Sequence, residues 1–193
     1  MDKSPGDIFS LSLRDAATTF ASLATLQPEV VRAAELIAKC LLDGGKVLAC
    51  GNGGSAADAA DFTTEFACRF TQDRRPWPAL NLSAGGSLVT ATGNDYGFDE
   101  IFARQVRAFG QKDDVLVAIS TSGKSKNICR ALEEASALGL NTVALLGRDG
   151  GSCAGMADVE LVIGSDSTAR IQEAHKFLLH VICEIVEPQL ARN

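Results

Sequence analysis

No stretch of the sequence is apolar for long enough to cross a membrane, and its start, Met1-Asp2-Lys3-Ser4-Pro5-Gly6-Asp7, lacks the apolar centre of a secretion signal. The two absences together predict a cytoplasmic protein that does not engage a membrane. There is no basic excess either. The net charge is −6, which argues against nucleic-acid binding, because that needs a basic face. An acidic total still leaves room for an anionic small ligand, since a pocket can be locally positive. Six cysteines are scattered at Cys40, Cys50, Cys68, Cys129, Cys153 and Cys183, and none forms a CxxC pair. Buried, reduced thiols are therefore favoured over disulfides or a structural metal. Histidine is scarce: His175 and His180, both in the last segment, are the only two. What is present is a globular composition, 46% hydrophobic and 22% charged over 193 residues, long enough for one domain with a real core.

The order of elements predicts the fold class. Residues 7–26 read as an amphipathic helix through Ile8, Leu11, Leu13, Ala16, Phe20 and Leu23. Pro28 opens a second helix, which Asp43-Gly44-Gly45 ends. Strands are expected at 46–50, 79–83, 115–119, 141–146 and 159–163. Helices are expected near 55–70, 85–93, 99–109 and 125–138, and a last one over 168–187 stops near Pro188. Strands alternating with helices predict an α/β, three-layer sandwich: a parallel sheet flanked by helices, binding its ligand at the carboxyl ends of the strands. No boundary or repeat divides the chain, so one domain is expected over 1–193. It comprises N-terminal helices (1–44), an α/β core (45–165) and a C-terminal helix (168–187). The terminal helices exceed what one small sheet needs for cover. Their apolar faces predict a helical bundle shared between subunits.

Two loops carry the chemistry. Cys50-Gly51-Asn52-Gly53-Gly54-Ser55-Ala56-Ala57-Asp58 joins an apolar strand to an alanine-rich helix. Glycines let the backbone approach a ligand, and a helix start offers unpaired N–H groups to an anion. Ser120-Thr121-Ser122-Gly123-Lys124-Ser125 follows the strand Val115–Ile119 with similar logic, adding clustered hydroxyls that can donate to phosphate oxygens. A serine-capped helix after a strand is the plainer reading of that loop alone. Two such loops together favour a phosphorylated small molecule. The GxxxxGK[ST] order is absent. Gly51, Gly53 and Ala56 do fit the looser dinucleotide spacing, but the strand ending at Ser83 lacks the acidic residue that holds a ribose, so a nucleotide ranks lower.

The helix after the first loop carries Asp58, Asp61, Glu65 and Arg69. Asp61 and Glu65 are four apart and share a face, as do Glu65 and Arg69. An ordinary exposed ion pair is the bland reading; a carboxylate base beside an anion-holding arginine is the functional one. In the last helix Gln172 and His180 are eight apart, about eighty degrees on the helical wheel, so they border one broad face. Apolar neighbours keep His180 from full solvation. His175 reads as structural or surface.

Together these segments resemble the SIS (sugar isomerase) domain family, in its heptose-phosphate isomerase branch. The resemblance rests on residues 51–59, Thr92-Gly93-Asn94-Asp95-Tyr96-Gly97, residues 119–125, Gly147-Arg148-Asp149-Gly150-Gly151 and Ala169-Arg170-Ile171-Gln172-Glu173. It implies a flavodoxin-like sheet, a homotetramer with active sites between subunits, and isomerisation of sedoheptulose 7-phosphate to D-glycero-D-manno-heptose 7-phosphate for cell-surface lipopolysaccharide. By resemblance, Ser120, Thr121, Ser122 and Ser125 hold the phosphate. Asn52, Gly53, Gly54, Ser55, Asn94 and Asp95, with Arg69 and Gln172, line the sugar site, and Glu65 and His180 match the family's acid–base pair.

Many members of that family bind zinc through residues matching 61, Glu65, Gln172 and His180. The family usually has histidine where this sequence has Asp61. A site of Asp61, Glu65, Gln172 and His180 leaves zinc (Zn2+), another divalent ion, or no metal open. Two other functions share the fold: a non-catalytic relative that binds a replication initiator, and a sugar-phosphate sensor. The first lacks the carboxylate that Glu65 supplies here.

Overall fold

The structure is a computed structural model and describes residues 3–191; the outermost positions of the expected domain, 1–2 and 192–193, lie outside them. Five parallel strands form one sheet: β1 (Val47–Gly51), β2 (Ala79–Asn81), β3 (Val115–Ser120), β4 (Asn141–Gly147) and β5 (Val159–Ile163), in the order β2-β1-β3-β4-β5. That is the flavodoxin-like order expected. Its switch point, where ligands bind in such sheets, lies between the carboxyl ends of β1 and β3. The central strands are continuously apolar because both faces are covered. Val47, Val115, Val117, Ile119, Val143 and Leu145 face one layer, while Leu48, Leu116, Ala118, Ala144 and Leu146 face the other. Each fully buried aliphatic side chain contributes roughly 1.5–3 kcal/mol.

The first layer is built from α2 (Gln27–Leu42), α3 (Gly54–Ala67) and α7 (Thr168–Leu190), and the second from α5 (Ala103–Phe109) and α6 (Lys126–Leu138). Between β2 and α5 lies α4 (Gly86–Tyr96). At the N-terminus α1 (Pro5–Ser22) opens on a capping box, in which Ser4 Oγ accepts from Asp7 N and Asp7 accepts from Ser4 N. A 3₁₀ turn at Leu23–Leu26 carries it straight into α2.

Helix α1 stops at Ser22 rather than 26, α4 runs on to Tyr96 rather than 93, α5 begins at Ala103 rather than 99, and three further boundaries differ from the sequence expectation for visible reasons. Strand β2 is three residues long, because Asn81 accepts from Ser83 N at 2.8 Å and turns the chain into a 3₁₀ helix. The last helix passes Pro188 and ends at Leu190, with Ala191 N donating to Glu187 O at 2.9 Å. Helix α3 ends at Ala67 rather than near 70, because Arg74 folds back and donates to the carbonyls of Glu65 (2.6 Å) and Phe66 (3.0 Å).

Candidate active site

The loop leaving β3 is held open by its own hydroxyls. Ser120 is buried; its Oγ accepts from Gly123 N at 3.1 Å and lies 3.2 Å from Ser125 Oγ. Ser122 Oγ accepts from Lys124 N at 3.2 Å. Gly123 has φ 64°, and a Cβ there would lie 2.2 Å from the Gly150 carbonyl oxygen, so only glycine fits. That neighbouring turn braces the loop, since Cys153 N donates to Gly123 O at 2.9 Å. Ser125 sits at the N-cap of α6 but spends its hydroxyl on Ser120 rather than on the helix backbone. The first turn of α6 therefore faces the loop with free N–H groups, a cradle for an anion.

The loop leaving β1 is fastened to the first. Asn52 and Asn127, the latter on α6, exchange two amide hydrogen bonds at 2.9 Å. Ser83 Oγ donates to Gly51 O (2.9 Å) and accepts from Gly51 N (3.0 Å), which fixes the turn from below. Gly53 takes φ 56° at the start of α3, and Ser55 is buried behind it. Asn94 and Asp95 are exposed near the end of α4, where Asn94 Nδ2 donates to Asp95 Oδ1 at 2.8 Å.

Helices α3 and α7 both leave the carboxyl edge of the sheet and run side by side. On α7, Gln172, Lys176 and His180 recur every four residues and form one stripe. The Gln172 carboxamide lies where a side chain at Gly54 would be, with Nε2 2.4 Å from a built Cβ. The Lys176 ammonium reaches both Asp58 Oδ1 (3.2 Å) and Asp61 Oδ2. Burial works to lower the Lys176 pKa, but the hydrogen bonds to Asp61 and Asp58 outweigh it and the net shift is upward. The His180 ring packs against Phe70 with centroids 5.9 Å apart and is half-buried. Glu65, also half-buried, lies close to Cys183, one turn beyond His180: burial raises that thiol's pKa, and the Glu65 carboxylate adds to the rise.

Below this stripe the buried Glu187 accepts from the backbone N–H groups of Phe70 (3.0 Å), Thr71 (2.9 Å) and Gln72 (3.2 Å) and from the Thr71 hydroxyl. Arg74 Nε stands 3.7 Å from it. These two residues fix the end of α3 that carries Glu65 and the turn that carries Phe70.

The structure places Asn52, Gly53, Gly54, Ser55, Gln172 and the serine loop at the carboxyl edge of the sheet, while Glu65 and His180 lie further down the α3–α7 seam, toward the amino edge, where Phe66 O accepts from Trp77 N just before β2. It corrects the reading of Arg69 and decides that of His175, which is structural rather than surface. Arg69 lies beyond the end of α3, bonds the Thr71 carbonyl at 3.4 Å and does not share Glu65's helix face. His175 is wholly buried, its ring nitrogens lacking a well-formed hydrogen bond, and burial pushes it down to about 4, only partly offset by the Leu146 backbone. Sequence reading missed Lys176, Arg74 and Glu187. The four-residue spacing of Lys176 from Gln172 and His180 was a legible signal. Arg74 and Glu187 meet only through the fold.

The donor set does not fit a zinc ion. Asp61's carboxylate is committed to Lys176, and among the described residues no three His, Cys, Asp or Glu side chains converge as a metal-holding group.

The sequence profile of the SIS domain matches residues 13–147, which is more than half the chain. The chain belongs to the SIS domain family. Within it, a phosphoheptose isomerase of Helicobacter pylori is 46% identical over 172 residues, spanning 89% of this chain and 90% of that protein. Two solved phosphoheptose isomerases share the fold. The Neisseria gonorrhoeae enzyme superposes with TM-score 0.91 at 41% identity, covering 96% of this chain and 100% of its own. The Francisella tularensis enzyme gives 0.93 at 39% identity, with the same coverage. Among the described residues, no helix of this SIS protein is long and apolar enough to cross a membrane.

Proposed function

We propose that this chain is a sugar-phosphate isomerase interconverting sedoheptulose 7-phosphate and D-glycero-D-manno-heptose 7-phosphate. The observation that carries this reading is likeness along the whole chain to phosphoheptose isomerases. The geometry supports it: a hydroxyl-lined helix start lies at the carboxyl edge of the sheet, and a half-buried glutamate and histidine lie on the α3–α7 seam that runs down from that edge.

The phosphate sits in the loop of Ser120, Thr121, Ser122 and Ser125, against the first turn of α6. This anchors the far end of an open-chain sugar and brings its carbonyl end to α3 and α7. Asn52, Gly53, Gly54, Ser55, Arg69, Asn94, Asp95 and Gln172 line the sugar. Glu65 removes the proton from C1 of the ketose while His180 donates a proton to the C2 oxygen, giving the 1,2-enediol. Glu65 then returns its proton to C2 and His180 takes the proton from the C1 oxygen, leaving the aldehyde. A positioned base of this kind contributes ~10²–10⁴-fold.

The product serves heptose assembly for cell-surface lipopolysaccharide, and the enzyme works in the cytoplasm as a homotetramer. Exposed Ile8, Phe9 and Leu13 on α1, and an apolar trough of about 490 Å³ between Phe20, Val31, Phe177 and Ile185, support the shared bundle. The test is proton NMR of the purified protein with sedoheptulose 7-phosphate in deuterated water. An aldose signal with deuterium incorporated at C2 is expected; binding without turnover would instead favour a sensor.

A further inference from the structure

Two carboxylates of α3 already hold a cation on the α3–α7 seam. Lys176 lies one turn after Gln172 and one turn before His180 on α7. Its ammonium rests on Asp61 and, at 3.2 Å, on Asp58. Asp58 is almost fully buried, with its side chain 3% exposed, and its second oxygen has no hydrogen-bond partner. A buried carboxylate in that state needs a counter-ion at hand, and Lys176 is the one the seam supplies. Asp61, by contrast, is 63% exposed and turns its carboxylate to the same ammonium rather than toward Glu65. The Lys176 ammonium therefore engages the Asp61 carboxylate from the helix stripe that also carries Gln172 and His180, and a divalent ion bound through Asp61 would meet a like charge at close range.

We infer that the Lys176 ammonium is the resident cation of this site and takes the place of a divalent metal. The inference rests on the isomerase reading for its meaning, but not for its test. Lys176 is a positioning residue. It holds α3 against α7, so that Glu65 on α3 keeps its place near Cys183, one turn past His180, and Gln172 stays against Gly54. Carboxylate and ammonium at 61 and 176 form one unit: histidine at 61 would leave Lys176 with Asp58 alone, and loss of Lys176 would leave Asp58 buried and uncompensated.

The experiment is zinc uptake by the full-length purified protein, read by elemental analysis after dialysis against micromolar zinc and then against zinc-free buffer. The native protein should retain far less than one zinc per chain, and the double variant Asp61→His/Lys176→Met should retain about one, as expected for a seam with an added imidazole and no ammonium. Native protein that retains about one zinc per chain, lost in the Asp61→Ala variant, overturns the inference whether or not it turns over. In parallel, native turnover should be indifferent to chelator. Lys176→Met should lower kcat on the order of ten- to a hundred-fold at similar KM, by analogy with lost orienting contacts at other sites. Lys176→Arg, which keeps the charge and the fold, should recover most of that loss; Lys176→Met with full native kcat counts against the positioning role. Absence of turnover in every sample would sink the isomerase reading alone, because the zinc stoichiometries still decide between ammonium and metal.

Discussion

Glu65 is held by its backbone as much as by its side chain. Its carbonyl is bound by Arg74, its carboxylate lies near Cys183, and it remains half-exposed to the cleft. Glu65→Gln keeps the shape and removes the base. Turnover should fall by ~10²–10⁴-fold while circular dichroism and melting temperature stay near native. Near-normal turnover would exclude Glu65 as the base. His175 tests a different property of a single residue. Burial lowers its pKa from 6.5 to about 4, so the fold favours the neutral ring. The unfolded chain then binds the extra proton between those two values. Stability should therefore decline as pH falls from about 6.5 toward about 4 and add no further loss below that, a total of about 3 kcal/mol. Urea midpoints measured from pH 7 to pH 4 check this, and His175→Phe should flatten that part of the profile. Sequence alone left His175 between core and surface, because an apolar neighbourhood does not say which helix face meets the sheet.

Among the elements, the α3–α7 pair positions the site, and the buried carboxylate of Glu187 fixes its far end. Glu187 satisfies three consecutive backbone N–H groups and faces Arg74. Glu187→Gln would turn an amide donor toward those donors and leave Arg74 without its charge partner. The expected cost is about 3 kcal/mol, seen as a lower urea midpoint. Turnover should drop as well, because Phe70 and the end of α3 lose their support. Unchanged stability would mean that the 70–74 turn is held by other contacts. The two phosphate-side loops were legible beforehand because strand, glycine and hydroxyl follow one another in the chain. The Asn52–Asn127 clasp that joins them was not, since its partners lie 75 residues apart. The span of α3 was overestimated for a similar reason: what ends it is Arg74, a residue beyond it that returns to cap its carbonyls.

For the whole molecule, the N-terminal helix exposes what a lone subunit would bury. On α1 the expected apolar face is largely open: Ile8 is 53%, Leu13 60% and Phe20 38% exposed, and only Thr19 is buried. Phe20 meets Phe177 of α7 across that surface, with ring centroids 5.2 Å apart. Light scattering should report four chains, and Phe177→Asp should shift the particle to smaller species by placing a charge in an apolar contact. A native monomer would remove the case for a shared bundle. Turnover of dissociated Phe177→Asp would argue that each subunit is complete by itself.

Periodicity and turn residues determined the parallel sheet, its helices and the two ligand loops, because those signals are local: apolar runs set strands, and glycine and serine set the turns between strand and helix. Spacing along one helix also marked Glu65 as a candidate base, while His180 became a candidate only through resemblance to the SIS family. Tertiary structure decided what those residues sit beside. The alignment of α3 with α7 gives Asp61 to Lys176, His180 to Phe70 and the 70–72 turn to Glu187, each a pairing between distant parts of the chain that only packing brings together.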